Sequence, residues 1–220
     1  RGRRYITLYS IPAGRNHRNV HPLRKTCKTY GLLGKSILMM EEKLKLYDGR
    51  PADETGRLKR ERDVYDLLEQ LEIPFQRVDH DVTPTIEACH EIDDLLQTEI
   101  CKNLFLCNAQ KTKFYLLLIS GDKKFKTKDL SHQIGSARLS FADADHMEQY
   151  LGVTPGSVSV LGLMNDKEHH VRLLIEKTIL EEEYIGCHPC INTTSLKIKM
   201  DDVLSKFLPY TGHEYTAVEL

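Results

Sequence analysis

Two apolar runs of strand length, residues 103–107 (Asn-Leu-Phe-Leu-Cys) and 114–120 (Phe-Tyr-Leu-Leu-Leu-Ile-Ser), flank the hydrophilic stretch 108–113. Short apolar runs joined by a polar loop predict a hairpin, and residues so continuously apolar place one of the two strands in the middle of a sheet. The surrounding sequence supplies helices to cover it. Residues 60–71 put Val64, Leu67, Leu68 and Leu71 on one helical face, with Pro74 ending the helix. Residues 75–78 read as a short strand, and Thr83-Pro84-Thr85 caps a second helix over 86–96. Downstream the pattern predicts a helix at 127–135, a strand at 138–141 and a helix at 143–151 opened by an aspartate. Strands are then expected at 157–163, 171–176 and 195–200, and a last helix at 201–207. There is no internal repeat. Strands in succession with helices between and around them define an α+β domain, a mixed β-sheet with flanking helices.

The 220 residues, 40% of them hydrophobic, suffice for one domain or a domain with an appendage. No apolar run approaches the roughly 18 residues of a membrane span, and no stretch resembles a secretory signal, so the expected location is cytoplasmic. Six cysteines (Cys27, Cys89, Cys101, Cys107, Cys187, Cys190) are too sparse for a disulfide framework and read as free thiols. The net charge of −1 hides a division. Residues 1–40 hold nine Lys or Arg and no acid, leaving 22 of the 31 basic residues against all 32 acidic ones in 41–220, a body charge of −10. Such a body binds nucleic acid only through a local basic patch. Residues 1–40 sustain no period and are expected to be a disordered extension, with 41–220 the single folded domain. The basic segment has three readings: a mitochondrial presequence, an arm that touches nucleic acid, or a non-native extension before Met39 or Met40. Gly31–Ser36 lacks the first glycine and the preceding strand of a phosphate loop.

Four features could carry chemistry. Thr154-Pro155-Gly156-Ser157 has the composition of a type II turn whose outward N–H groups could hold the oxygens of a ligand; the same residues could simply feed a strand. Cys187-His188-Pro189-Cys190 could be a redox pair or half a zinc site, but no second C-x-x-C or finger-spaced His pair accompanies it. His169-His170 falls in a polar turn. Lys102, just before the run 103–107, either aims into a cleft or guards the exposed end of a sticky strand.

Together, Lys102-Asn103-Leu104-Phe105-Leu106, Pro155-Gly156-Ser157-Val158-Ser159 with Gly162-Leu163-Met164-Asn165-Asp166, and Gly186-Cys187-His188-Pro189-Cys190-Ile191-Asn192-Thr193 stand in the order and spacing of one family. Over about residues 60–210 the chain resembles the YbaK/ProX family of aminoacyl-tRNA deacylases, in particular the free-standing ProX branch, which is similar to the editing domain of bacterial-type prolyl-tRNA synthetase. The resemblance implies hydrolysis in trans of a wrongly attached amino acid, foremost alanine, from proline tRNA. It implies no metal and no cofactor. The implied partners are the acceptor end of the tRNA and prolyl-tRNA synthetase, and a mitochondrial location would follow if the basic leader were a presequence. Lys102 corresponds to the family's lysine, which would hold the terminal adenosine phosphate or polarise the ester, supported by Asn103. Gly156 and Ser157 would present backbone N–H groups, and His188, with Asn192 nearby, would line the amino-acid pocket. One position departs from the family's G-x-x-x-P loop: Val160 replaces the proline, which would let the loop continue as strand and lower activity. A binding module without catalysis is the alternative function, and a thiol oxidoreductase using Cys187 and Cys190 is a third class.

Overall fold

The computed structural model describes residues 44–82 and 86–220. The expectations for residues 1–40 and for the Thr83-Pro84-Thr85 cap lie outside the described residues. Nine strands are described: β1 (Leu46–Asp48), β2 (Phe75–Asp79), β3 (Lys102–Asn108), β4 (Phe114–Ile119), β5 (Leu139–Phe141), β6 (Val171–Glu176), β7 (Tyr184–Cys187), β8 (Thr194–Lys199) and β9 (Tyr215–Val218). They form two sheets where the sequence predicts one. A four-stranded sheet has the order β1-β2-β8-β7 and is antiparallel throughout; a five-stranded sheet has the order β5-β3-β4-β6-β9. The second is mixed, because β4 pairs antiparallel with β3 but parallel with β6. The hairpin expected from the two apolar runs is β3–β4, and every residue of β4 is buried, as its central position requires.

Helix α1 (Lys59–Gln70) buries Val64, Leu67 and Leu68, the face that the 3.6-residue period picks out. Its Tyr65 stacks on Phe75 of β2, ring centroids 5.4 Å apart, and donates a 2.7 Å hydrogen bond to buried Glu61. Helix α2 (Ile86–Leu96) sends Ile92 and Leu96 onto Val78 of β2, on the other side of the four-stranded sheet. Helix α3 (Thr127–Gln133) covers the face of the five-stranded sheet that carries Leu104, Leu106 and Ile119, through its buried Leu130. The opposite face, with Cys101, Phe105, Cys107 and Leu118, joins the larger core shared with α1, the 151–163 segment and β8.

The sequence misplaces one element. Residues 157–163 do not form a strand: Ser157–Ser159 lead into a 3-10 helix, Val160–Asn165. Its Val160, Leu161, Gly162 and Leu163 are all buried together rather than in alternation, and the Ser159 hydroxyl accepts from Leu161 N–H at 3.2 Å, which caps a helix instead of extending a strand. The last helical stretch begins at Met200 and continues past 207 to Thr211. Strands β1, β7 and β9 escape a pattern-based reading because each has only three or four residues.

Besides the shared core, a backbone bridge ties the two sheets together at Gly186. Gly186 of β7 accepts from Cys101 N–H at 3.1 Å and donates to Glu99 O at 3.2 Å, a parallel bridge between the edge of one sheet and the entry to β3 in the other. A Cβ here would lie 2.8 Å from both Glu99 O and Ile100 Cα, where only glycine fits. Gly186→Ala should therefore cost about 1–3 kcal/mol of stability as backbone is forced apart. Chemical denaturation of parent and variant would measure it, and equal stability would show that the junction opens freely.

Candidate active site

The turn at 154–157 has the geometry its composition predicts. Ser157 N–H donates to Thr154 O at 3.0 Å and Gly156 takes φ +90°, the left-handed value required at the third position of a type II turn. The Ser157 hydroxyl donates to Thr154 O at 2.9 Å and accepts from Thr154 N–H at 3.1 Å. Its side chain is buried and serves to hold the turn, so the N–H left to face a ligand is that of Gly156, which has no acceptor among the described residues. The tip of the turn stands against Asn192: a Cβ on Gly156 would be 3.5 Å from Asn192 Nδ2. Asn192 in turn donates to Val82 O at 3.4 Å.

His188 lies four residues before Asn192, in the loop between β7 and β8. Its Nδ1 is 2.9 Å from Thr194 O, an oxygen that can only accept, so Nδ1 carries the proton and Nε2 is the acceptor of the neutral ring. Burial pushes the His188 pKa below its ordinary value, and the neighbouring His80, ring centroids 6.0 Å away, lowers it further. His80 belongs to the same constellation although nothing in its local sequence singles it out. Its Nδ1 faces Asp81 O at 3.0 Å, which leaves Nε2 to accept from Ser195 Oγ at 2.9 Å; Ser195 Oγ is also 3.5 Å from His188 Nδ1. Two imidazoles are thus held in defined tautomers by two carbonyls and one buried hydroxyl.

Beneath the loop is a partly buried polar cluster. Glu61, Arg57 and Asp79 form a chain of ion pairs, with Arg57 Nη2 2.8 Å from Asp79 and Arg57 also paired to Glu61. Thr194 Oγ1 donates to Asp79 at 3.0 Å, so the residue whose carbonyl orients His188 is itself fixed by a carboxylate. Burial alone would raise the Asp79 carboxyl, but the Arg57 guanidinium outweighs it and leaves the group below the usual carboxylate range.

The two residues of β3 diverge. Asn103 faces the larger core, its Nδ2 donating to Cys101 O at 3.0 Å while its buried Oδ1 has no partner among the described residues. Lys102 pairs with Ile119 across the hairpin and therefore lies on the α3 side of the sheet. Its exposed side chain donates to Lys123 O at 3.3 Å. The structure thus brings Gly156, Asn192 and His188 into one neighbourhood, and connects β3 to it through the Gly186 bridge, but turns the Lys102 side chain toward the β4–α3 connection.

The C-x-x-C segment is not a redox site in this setting. Cys187 and Cys190 are buried free thiols; burial pushes Cys187 well above its ordinary pKa and Cys190 up to about 12, so neither forms the thiolate that exchange requires. Among the described residues no group of three or more His, Cys, Asp or Glu could hold a metal ion, and no helix is long and apolar enough to cross a membrane. Two surface grooves, of about 620 and 580 Å³, lie elsewhere, one against Phe75, Tyr184 and Lys197 and the other against Cys101, Ser120 and Glu182.

The model of the aminoacyl-tRNA editing domain matches residues 80–206, which run from His80 through the turn and the His188 loop to the last helical stretch. The chain belongs to the aminoacyl-tRNA editing domain family. It is 34% identical over 153 residues to the prolyl-tRNA editing protein ProX of Acetoanaerobium sticklandii, covering 70% of this chain and 93% of that one. It is 30% identical over 151 residues to the prolyl-tRNA synthetase associated domain-containing protein 1 of Bos taurus, 67% of this chain and 87% of the relative. A solved structure described as a candidate trans-editing enzyme for prolyl tRNA synthetase superposes with a TM-score of 0.55 at 16% identity, over 74% of this chain and 98% of that one, a likeness of fold. As an editing domain the protein is a deacylase, a hydrolase of the ester between amino acid and tRNA.

Two predictions follow from this geometry. Since the folded-state pKa of His188 is depressed, its contribution to stability is complete above the unfolded value of about 6.5 and is lost as pH falls below it. Thermal melts at pH 7.5 and 5.0 should show a larger drop for the parent than for His188→Gln; equal drops would contradict a ring held neutral by its partly buried setting. Val160 is the first residue of the 3-10 helix, where an N–H has no intrahelical acceptor, and Ser159 before it has φ −149° and ψ 150°, values a residue preceding proline adopts. The loop is therefore already formed with valine, which removes the structural premise for lowered activity. Val160→Pro should fold with a melting temperature no lower than the parent's and deacylate at least as fast.

Proposed function

We propose that this deacylase hydrolyses alanyl-tRNA(Pro) in trans. The observation that carries the reading is the approach of the Gly156 turn to Asn192 in the loop that holds neutral His188, two segments some thirty residues apart in sequence meeting inside the matched region. A pocket built for proline excludes a smaller amino acid by only about 1–3 kcal/mol per missing methylene, so a second site must remove the error. The ester is activated, and its hydrolysis needs a positioned water and donors aimed at the developing oxyanion. The Gly156 N–H supplies such a donor. The His188 Nε2 lone pair can accept from the amino group of the substrate or from the attacking water, and Asn192 fixes the orientation of the aminoacyl end, while Asn103 supports the entry to β3 from the core side. Ser157 acts by keeping the turn in shape.

Lys102 holds the phosphate of the terminal adenosine in this scheme, a role suited to an exposed ammonium that leaves the Gly156 face to the ester. The partners are the acceptor end of proline tRNA and the prolyl-tRNA synthetase that releases it.

The test is a deacylation assay against proline tRNA carrying alanine, cysteine or serine. Alanine should be released fastest, and Lys102→Ala should lower kcat/KM by about a hundredfold or more through misplacement of the ester. Turnover of none of the three would favour binding without catalysis, and an equally active Lys102→Ala protein would remove that residue from the mechanism.

A further inference from the structure

The folded body is acidic, yet residues 123–128 read Lys-Lys-Phe-Lys-Thr-Lys. Much of the basic charge elsewhere is already neutralised: Arg50 by Glu54, Asp66 and Glu69, Arg57 by Glu61 and Asp79, Lys59 by Asp63, Lys111 by Asp143, Lys177 by Glu219 and Lys206 by Asp202. Within the run, Lys123 is committed to buried Glu176 at 2.7 Å. Lys124, Lys126 and Lys128 are all exposed, and none forms an ion pair with a described residue. Phe125, between the first two, packs against the core beside α3, which anchors the segment and turns its lysines outward. The backbone at Lys126 is extended, and Lys128 follows it on the first turn of α3. Lys102 joins this surface, since its ammonium sits on Lys123 O.

We propose that Lys124, Lys126 and Lys128 form, with Lys102, the surface that grips the phosphate backbone of the tRNA beside its acceptor end. This rests on the deacylase reading above. Several exposed cations on an anchored connection and the start of α3 suit a polyanion with repeated charges rather than one small anion, and continuity with Lys102 sets them next to the reacting end of the substrate. The acids nearby do not cancel it. Asp122 N–H donates to Glu99 at 3.2 Å and the Ser120 hydroxyl lies within reach of both carboxylates, so both acids sit at the start of the run; with Lys123 set against Glu176, Lys102, Lys124, Lys126 and Lys128 against Glu99, Asp122 and Asp129 still carry +1.

The measurement is the affinity of the full chain for uncharged proline tRNA as a function of salt, which requires no hydrolysis and so is scored separately from the deacylation assay. The triple variant Lys124→Ala/Lys126→Ala/Lys128→Ala should bind roughly tenfold or more weakly at moderate salt. The slope of log affinity against log salt should fall by about 2 to 3, as expected for three lost phosphate contacts. The corresponding triple Lys→Arg variant should restore both, and an unchanged melting temperature would confirm that the exposed substitutions leave the fold intact. Unchanged affinity and slope in the alanine variant would overturn the proposal. So would a parent that fails to bind tRNA at low salt, or one whose lysines act only on vesicles containing anionic lipid. Absent deacylation with the predicted loss of binding would sink the catalytic reading and leave this surface standing.

Discussion

The close approach at Gly186 is the constraint on which the arrangement of the molecule depends. Each sheet has its own hydrogen-bond ladder, but the relation of β3 to the His188 loop is set where β7 lies against residues 99–101. A side chain there would separate the backbones, and the two halves of the site would lose their spacing without any active-site residue being altered. Catalysis by positioned donors rather than by a strong nucleophile is sensitive to such displacement.

Support for the site comes from burying charge in company. Glu61 is acceptable in the interior because Arg57 and Tyr65 supply donors to it, and losing one partner would strand a buried charge, while half-exposed Asp79 takes donors from Arg57 and Thr194. The arrangement couples α1, β2 and β8 to the loop that carries His188. Its tautomer is therefore set two bonds away, by a threonine whose hydroxyl answers to a carboxylate and whose carbonyl answers to the imidazole.

Much of this was legible in the sequence. The β3–β4 hairpin, the amphipathic face of α1 and the Pro155-Gly156 turn each depend on neighbouring residues, and local pattern reports local structure well. The 157–163 segment misled because its apolar residues suit a buried strand or a buried helix equally, and the Ser159 cap that decides between them is a single side chain. His80 and Ser195 were invisible for a different reason: each acquires its role only when β2 and β8 pair. The side to which Lys102 points follows from its register against Ile119, which a motif cannot convey.

The buried thiols have a use beyond their inertness. Cys101 and Cys187 lie on the two backbones that meet at the sheet junction, and Cys190 follows His188 by two residues. A thiol-specific reagent can reach Cys187 and Cys190 only when that region opens, so the rate at which they react reports the free energy of local opening at the site itself. The protein carries, in effect, its own clock for how often its two halves part.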